Sequence, residues 1–453
     1  MIDLTRYAET LKGKPVAVYG LGLSGLATVR ALVAAEARVY AWDDDEAKRI
    51  EAVKIGSEID MLENLGGFAA LVLSPGVPLH FPKPHPVVER ARRDGVEIIG
   101  DVELLHRARL GKKTIGITGT NGKSTTTALI GHILKSSGVN VAVGGNIGTA
   151  VLELEAADIF LMELSSFQLD LCTSFAPDIA VHISLTPDHL DRHGDMDGYA
   201  AAKMRIFNGP GRAVIGIDDE PSRRMAAQVV DEGERDIYTV SVIGSVDKGV
   251  DVEDGILYDA MTGEAEEIVD LKAFSNLPGV HNHQNAAVAY AVARLVGLPS
   301  GSIVGAMKSY PGLPHRLFTV RTISGVPYIN DSKATNADAA GKALASYAHI
   351  HWIVGGKPKD GGLSGLENLL PHVKQAYVIG EAAESFSAWL IAHRVMVENC
   401  GTLEKAVEAA HRNAQSDGQG VVLLSPACAS YDQFKSFEHR GEVFTGLVKG
   451  LEE

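Results

Sequence analysis

Thr114-Ile115-Gly116-Ile117-Thr118-Gly119-Thr120-Asn121-Gly122-Lys123-Ser124-Thr125-Thr126-Thr127 reads as a short apolar strand, a glycine loop and the opening of a helix. The helix continues with Leu129, Ile130, Ile133 and Leu134 on one face, and Gly138 is placed to end it. A loop of this kind presents backbone amides to phosphates, while Lys123 reaches the terminal ones and Ser124 faces Mg²⁺. The strict phosphate-loop spacing calls for Gly at 117, where this chain has Ile117, with Gly116 and Gly119 close by. The loop is therefore a variant, and ATP is the nucleotide expected on Gly119, Thr120, Asn121, Gly122, Lys123, Ser124 and Thr125.

Outward from this loop, strands are expected at Val139 to Val143, Asp158 to Met162, Ile179 to Ile183 and Ala213 to Ile217. Glu163 follows the apolar run Ile159-Phe160-Leu161-Met162 directly, where a carboxylate for the metal of a nucleotide site is usually supplied. From Ser241 to Val269 the pattern turns polar and alternating, which predicts a small antiparallel excursion. A helix over Asn285 to Val296 precedes the break Pro311-Gly312-Leu313-Pro314, which no helix can cross. Beyond it, Pro327 to Asn330, Ile350 to Val354, Ala376 to Ile379 and Val421 to Leu424 read as further strands.

Toward the amino terminus, Val16 to Tyr19 is a strand, Gly20-Leu21-Gly22-Leu23-Ser24-Gly25 fits G-x-G-x-x-G, and Leu26, Val29, Leu32 and Val33 mark the following helix. Val39 to Trp42 is the second strand, with Asp43 at its end, and Ala70 to Leu73 and Val96 to Ile99 follow. A dinucleotide, a nucleotide sugar and an empty relic of the fold all fit this turn. Val102 to Lys113, with Arg107, Arg109, Lys112 and Lys113, has the look of a helix and linker. The whole is α/β: a Rossmann-like domain over 1–108, a central phosphate-loop domain over 109–313 and a Rossmann-like domain over 314–453.

Composition narrows the function classes. The 453 residues carry 57 acidic and 42 basic side chains, a net charge of −15 that argues against nucleic acid and anionic lipid as partners. Cys172, Cys400 and Cys428 form neither a disulfide framework nor a CxxC pair, which fits a reducing cytoplasm. Met1 to Lys14 lacks the apolar core of a signal peptide and no stretch is long enough to cross a bilayer, so no membrane insertion is expected.

TGTNGKSTTT at Thr118–Thr127, ELSSFQL at Glu163–Leu169 and DHLDRH at Asp188–His193 together resemble the Mur ligases, the ATP-dependent amide-forming ligases of peptidoglycan precursor synthesis. LPGVHNHQN at 277–285, LPHR at 313–316, NDSKATN at 330–336 and SPACASYDQFKSFEHRG at 425–441 extend the likeness, in order, to residue 441. The last two and the GLGLSGLA turn look like the D-glutamate-adding branch.

What the resemblance implies is specific. The first glycine turn takes UDP rather than a dinucleotide, with Gly22, Leu23, Ser24, Asp43, Gly76, Asn146 and Ser165 toward UDP-N-acetylmuramoyl-L-alanine. Lys123, Ser124 and Glu163 serve ATP and one Mg²⁺, and His189 serves a second. Lys203 matches a lysine that CO₂ converts to a carbamate able to bind metal, so Ser124, Glu163, His189 and Lys203 form the expected metal set. Asn285, Arg316 and Asp331 match ATP contacts, Lys333 faces a phosphate, and Thr335, Lys359, Ser430 and Phe437 match a D-glutamate pocket. Lys357 stands two residues before Lys359, where the commoner pattern is GGDGK, so either lysine fits the amino-acid carboxylate. The catalytic set is thus Lys123, Glu163, His189, Lys203 and Lys333, on a chain expected to act as a monomer. A sister ligase adding another amino acid, and a non-catalytic protein holding UDP-sugar and ATP, are the competing readings.

Overall fold

The computed structural model describes residues 1–108, 110–274, 276–359 and 361–452. Arg109 of the expected linker and Asp360 of the GGKPKD segment lie outside the described residues. The chain divides into two compact units, residues 1–271 with 283–309, and residues 272–282 with 310–453.

The first unit contains two sheets. Strands β1 (Val16–Tyr19), β2 (Val39–Trp42), β3 (Glu58–Ile59), β4 (Ala70–Leu73) and β5 (Glu97–Ile99) form a parallel sheet in the order β3-β2-β1-β4-β5. β1 and β4 are buried throughout, as the central strands of a sheet covered on both faces must be. The order reverses between β1 and β4, so the crevice at their carboxyl ends is the switch point where open α/β sheets bind ligands.

The second sheet holds β6 (Lys113–Thr118), β7 (Val141–Gly145), β8 (Ile159–Glu163), β9 (Ile179–His182), β10 (Gly211–Gly216), β11 (Arg235–Ser241), β12 (Gly249–Glu253), β13 (Ile256–Asp259) and β14 (Glu266–Asp270). Its order is β14-β13-β12-β11-β10-β9-β6-β8-β7, parallel from β7 through β12 and antiparallel for β13 and β14. The antiparallel excursion is present. The strand β11 ahead of it was not expected from Arg235-Asp236-Ile237-Tyr238-Thr239, where a charged pair comes first and no unbroken apolar run marks a strand.

A buried carboxylate ties these two sheets together. Glu103, on the helix Asp101–Arg107 that follows β5, accepts from the amides of Thr173, Ser174 and Phe175 at 3.0 Å each. It also accepts from the Thr173 hydroxyl at 3.0 Å, the Ser174 hydroxyl at 2.5 Å and Arg107 Nε at 2.9 Å. Burial opposes ionisation, but the Ser174, Arg107 and Thr173 hydrogen bonds outweigh it and hold the carboxyl at about 2. One apolar core, from Val16 and Leu32 to Phe160 and Phe175, runs through both sheets.

The second unit is a sheet of β15 (Phe318–Ile323), β16 (Val326–Asn330), β17 (Ile350–Gly355), β18 (Val373–Ile379), β19 (Val397–Gly401) and β20 (Val421–Leu424), ordered β15-β16-β20-β17-β18-β19. Only β15 runs antiparallel, joined to β16 through Ser324 and Gly325, both at positive φ, as a two-residue hairpin turn requires. The expected central strands are present. The edge strands β15 and β19 were not foreseen, because Thr319-Val320-Arg321-Thr322 and Val397-Glu398-Asn399 carry the polar residues of half-solvated edges. Among the described residues no helix is long and apolar enough to cross a membrane.

Candidate functional site

Backbone shape at the phosphate loop demands glycine. Gly122 has φ +85° and precedes the helix Lys123–Ser136, and a Cβ there would sit 2.4 Å from Asn285 Oδ1. Thr126 Oγ1 donates to the same Asn285 oxygen at 3.1 Å, which brings the helix Val280–Val296 onto the loop. Gly122 brings no side chain of its own to cap the helix, whose positive end lies at the loop. Lys123 Nζ donates to the carbonyls of Gly119 and Thr120, each at 2.8 Å. Thr120 Oγ1 donates to Thr186 O at 3.1 Å and Asn121 N to Ser184 Oγ at 3.2 Å, so the loop is braced against the segment after β9. Ser124 is buried and Thr125 half-buried at the helix start.

Glu163 ends β8 in register with Ile117 of β6 and Gly145 of β7, and it is buried. Its Oε1 accepts from Asn146 Nδ2 at 3.2 Å, so the carboxylate and the expected substrate amide are neighbours. Lys203 is 1% exposed on the helix Met196–Met204, and its Nζ donates to Gly119 O at 2.9 Å and Thr118 Oγ1 at 3.3 Å. Its ammonium also lies 4.6 Å from the Tyr199 ring centre. Burial, and then the nearby Lys123 charge, push its pKa well below the usual lysine value. The sequence alone describes Lys203 as a solvated helix lysine; the fold turns it inward beneath the phosphate loop. Thr118 and Phe167, each within a quoted motif, and Tyr199, four residues before Lys203, were not singled out beforehand.

His189 has φ +53°, stands half-exposed, and places its ring 4.9 Å from Phe167 with Nε2 3.4 Å from Asp188 Oδ2. Among the described residues no three His, Cys, Asp or Glu side chains are grouped to hold a metal. One buried carboxylate, Glu163, with the Ser124 hydroxyl at the phosphate loop nonetheless fits Mg²⁺, which takes one or two protein oxygens and completes its shell with nucleotide phosphates and water.

At the carboxyl ends of the first sheet, Gly20 (φ +88°) and Gly25 make the turn possible. A Cβ on Gly25 would fall 1.9 Å from Gly20 O, and one on Gly20 would fall 2.6 Å from Ser74 Cβ. Leu23 opens the helix Leu23–Ala34 from the N-cap Gly22 and is 79% exposed, an apolar side chain offered to a ligand. Ser24 follows it, its carbonyl accepting from Thr28 Oγ1 at 2.8 Å. Asp43 is more engaged than a solvated strand-end residue: Oδ2 accepts from Leu21 N at 2.6 Å and Oδ1 from Asp45 N at 2.9 Å. It clamps the glycine turn. Gly76 lies in the turn after β4, where its carbonyl accepts from Arg192 at 3.2 Å. Ser165 N-caps the helix Ser166–Asp170 in a capping box with Gln168.

In the second unit, Asp331 follows β16 and is buried. Its Oδ2 accepts from Ser425 Oγ at 2.8 Å and its Oδ1 from Leu317 N at 3.2 Å, and burial raises its pKa to about 7. Lys333 Nζ stands 3.9 Å over the Phe437 ring, so these two expected residues meet. Arg316, half-buried, pairs with Leu313 through a 3.2 Å amide hydrogen bond, and its charge is felt at Asp331. Thr335 is half-buried, Ser430 is buried, and Lys359 is exposed with its charge acting on Cys428. Lys357 is locked by its backbone, which exchanges hydrogen bonds with Ala429 at 2.9 and 3.1 Å.

Arg440 was not singled out, yet its fully buried guanidinium organises this unit. It donates to Ser332 Oγ at 2.9 Å, Ser332 O at 2.8 Å, Cys428 O at 3.1 Å and Ala429 O at 3.4 Å. It thereby joins the loop before Lys333 to the loop before Ser430.

Residues 117–293 match the Mur ligase middle domain, and residues 315–428 match the Mur ligase, glutamate ligase domain. The chain is 49% identical to the UDP-N-acetylmuramoylalanine–D-glutamate ligase of Caulobacter vibrioides, over 97% of this chain and 96% of that one. It is 48% identical to the enzyme of the same name from Rhodospirillum rubrum, over 100% and 97%, and 48% to that from Rhizobium meliloti, over 100% and 99%. The fold is shared with MurF from Acinetobacter baumannii, at a TM-score of 0.61 and 17% identity over 99% of this chain and 98% of that one. UDP-N-acetylmuramate-alanine ligase MurC from Thermotoga maritima shares it at 0.59 and 17% over 96% and 99%. With relatives of this identity over its full length, the chain belongs to the Mur ligase family.

Proposed function

We propose that the protein is an ATP-dependent ligase joining D-glutamate to UDP-N-acetylmuramoyl-L-alanine, with release of ADP and phosphate, in cytoplasmic peptidoglycan precursor synthesis. The observation that carries the reading is the phosphate loop with Lys203 buried beneath it and Glu163 beside it, in a chain whose relatives at 48 to 49% identity bear that enzyme name.

A carboxylate is a poor electrophile, so the alanine carboxylate attacks the γ-phosphorus of ATP, the bond to the ADP oxygen breaks, and an acyl phosphate forms. Lys123 draws charge from the transferring phosphoryl. The D-glutamate nitrogen then attacks the acyl carbon, the tetrahedral intermediate expels phosphate, and the amide remains once the nitrogen has lost its proton. Ser124, Glu163, His189 and a carbamylated Lys203 would hold Mg²⁺, two ions in all, which neutralises charge developing on the phosphoryl oxygens. A neutral lysine amine is what CO₂ requires: its nitrogen bonds to carbon, a proton leaves, and one negative charge is shared by two oxygens. The depressed pKa of Lys203 supports this.

In this reading residues 1–108 hold the UDP portion through the Gly22–Ser24 turn, Gly76, Asn146 and Ser165, with Asp43 shaping the turn. Residues 109–313 bind ATP, and residues 314–453 carry Arg316 and Asp331 for ATP, Lys333 for phosphate, and Thr335, Lys359, Ser430 and Phe437 for D-glutamate, in a chain acting as a monomer. The test is ADP release by purified protein given UDP-N-acetylmuramoyl-L-alanine, Mg²⁺ and bicarbonate, with D-glutamate against L-glutamate, L-lysine and diaminopimelate. Turnover with D-glutamate alone is the expected result; turnover with another amino acid would move the protein to a sister activity, and none would favour a binding protein.

A further inference from the structure

The DHLDRH motif contains a residue that the proposed chemistry leaves unused. Arg192 is half-buried on the short helix Leu190–His193, which begins directly after His189. Its guanidinium lies 4.6 Å from the centre of the Phe167 ring, and its Nη atoms donate to Gly76 O at 3.2 Å and Pro75 O at 3.5 Å. Phe167 belongs to the ELSSFQL motif that opens with Glu163. The same ring stacks on His193, with centres 5.3 Å apart and planes 15° apart, and approaches His189 at 4.9 Å. His193 is fixed in turn by Ser166 Oγ at 2.9 Å from its Nε2.

A second tie runs beside the first. Gly194 has φ +87°, and a Cβ there would meet the Phe81 ring at 3.0 Å, so the loop after β4 rests on a backbone that only glycine supplies. His80 Nε2 also stands 3.6 Å from Asp170 Oδ2. The turn that follows β4 of the first sheet, at its switch point, is therefore held by the segment that carries His189 in the second. Arginine suits this arrangement because its planar fork aims separate N–H groups at the two carbonyls while its face lies on the ring.

We infer that Arg192 is a positioning residue for the acceptor substrate, fixing the Pro75–Gly76 turn against the His189 turn so that the nucleotide portion and the reacting carboxylate are held in one register. The inference rests on the proposed acceptor, and wild-type turnover run in parallel separates failure of that reading from failure of this one. Steady-state kinetics of the full chain with each of the three substrates varied, for wild type, Arg192→Met and Arg192→Lys, tests it alongside thermal unfolding of each variant.

Loss of a charge-assisted hydrogen bond pair predicts a rise of about tenfold or more in acceptor KM for Arg192→Met. The KM values for ATP and D-glutamate stay within about twofold, and Arg192→Lys, which keeps the cation over Phe167 and one donor, recovers part of the loss. An unchanged acceptor KM in Arg192→Met overturns the inference. So does an equal rise in all three KM values, or a matching loss in Arg192→Lys accompanied by a lowered melting temperature, since each assigns Arg192 a general structural role.

Discussion

Lys123 and Lys203 donate to the same oxygen, the carbonyl of Gly119, at 2.8 and 2.9 Å. Two ammonium groups on one acceptor repel each other, and the buried one yields by giving up its proton more readily. Among the described residues Lys203 forms no ion pair with a carboxylate; it meets a carbonyl, a hydroxyl and the Tyr199 ring. The arrangement favours the neutral amine, which is the nucleophilic form, over the ammonium.

Lys203→Ala should lower turnover by about 100-fold or more, the scale of removing one group that stabilises transferring charge. Added formate or acetate should partly restore it, because a small carboxylate fits the space left by a truncated carbamate. An intact fold that no carboxylate rescues, measured by ADP release across carboxylate concentration, would count against the carbamate.

Glu103 makes a sharp prediction for acid stability. Its folded pKa, about 2, lies below its unfolded value, so the stabilisation is complete above the unfolded pKa and disappears as pH falls toward 2. The shift corresponds to about 3 kcal/mol. Glu103→Gln should melt lower than wild type at pH 7, with the gap closing between about pH 4.5 and pH 2. A gap independent of pH would show that the carboxylate charge is not what holds the 173–175 loop.

Gly122→Ala strains a residue at φ +85° and drives a methyl into Asn285 Oδ1. The side chain of Asn285 is the part able to move, so the fold should persist while ATP binding suffers. An ATP KM raised about tenfold, with D-glutamate KM little altered, is the expected outcome of losing about 1.4 kcal/mol at one substrate. Equal KM values in variant and wild type would remove Asn285 from the nucleotide contacts.

Lys359 and Lys357 differ in what surrounds them. Burial raises the Cys428 thiol to about 12, against the pull of Arg440 and Lys359, so the Lys359 charge reaches the strand end that leads to Ser430. Lys359→Ala should raise the D-glutamate KM about tenfold or more, the cost of losing a charged partner for a carboxylate. Lys357→Ala, whose backbone is pinned to Ala429, should change it by less than about threefold. The reverse ranking in amino-acid titrations would assign the carboxylate to Lys357.

Most of the central strands were legible because parallel strands buried on both faces read as unbroken Val, Ile and Leu runs, as at Val16–Tyr19 and Val421–Leu424. The edges were not, since Phe318–Ile323 and Val397–Gly401 alternate with polar residues and take their identity from the neighbour they pair with. The phosphate loop was readable from local spacing. Lys203 was not, because its burial depends on how the helix Met196–Met204 packs beneath a loop some eighty residues earlier. Arg440 and Glu103 escaped for a similar reason: a charged residue on a helix normally faces water, and only the assembled loops around these two supply the partners that make burial tolerable.

The adjacency of β7, β8 and β6 has one more consequence. Asn146, Glu163 and Thr118 sit at the carboxyl ends of three neighbouring strands, whose separation is fixed near 4.8 Å by backbone hydrogen bonds rather than by side chains. The sheet acts as a ruler: these groups stay one rung apart or move by a whole rung, and no gradual drift between them is available. Change in the connecting loops is therefore free to alter what is recognised while the spacing of the chemistry stays put.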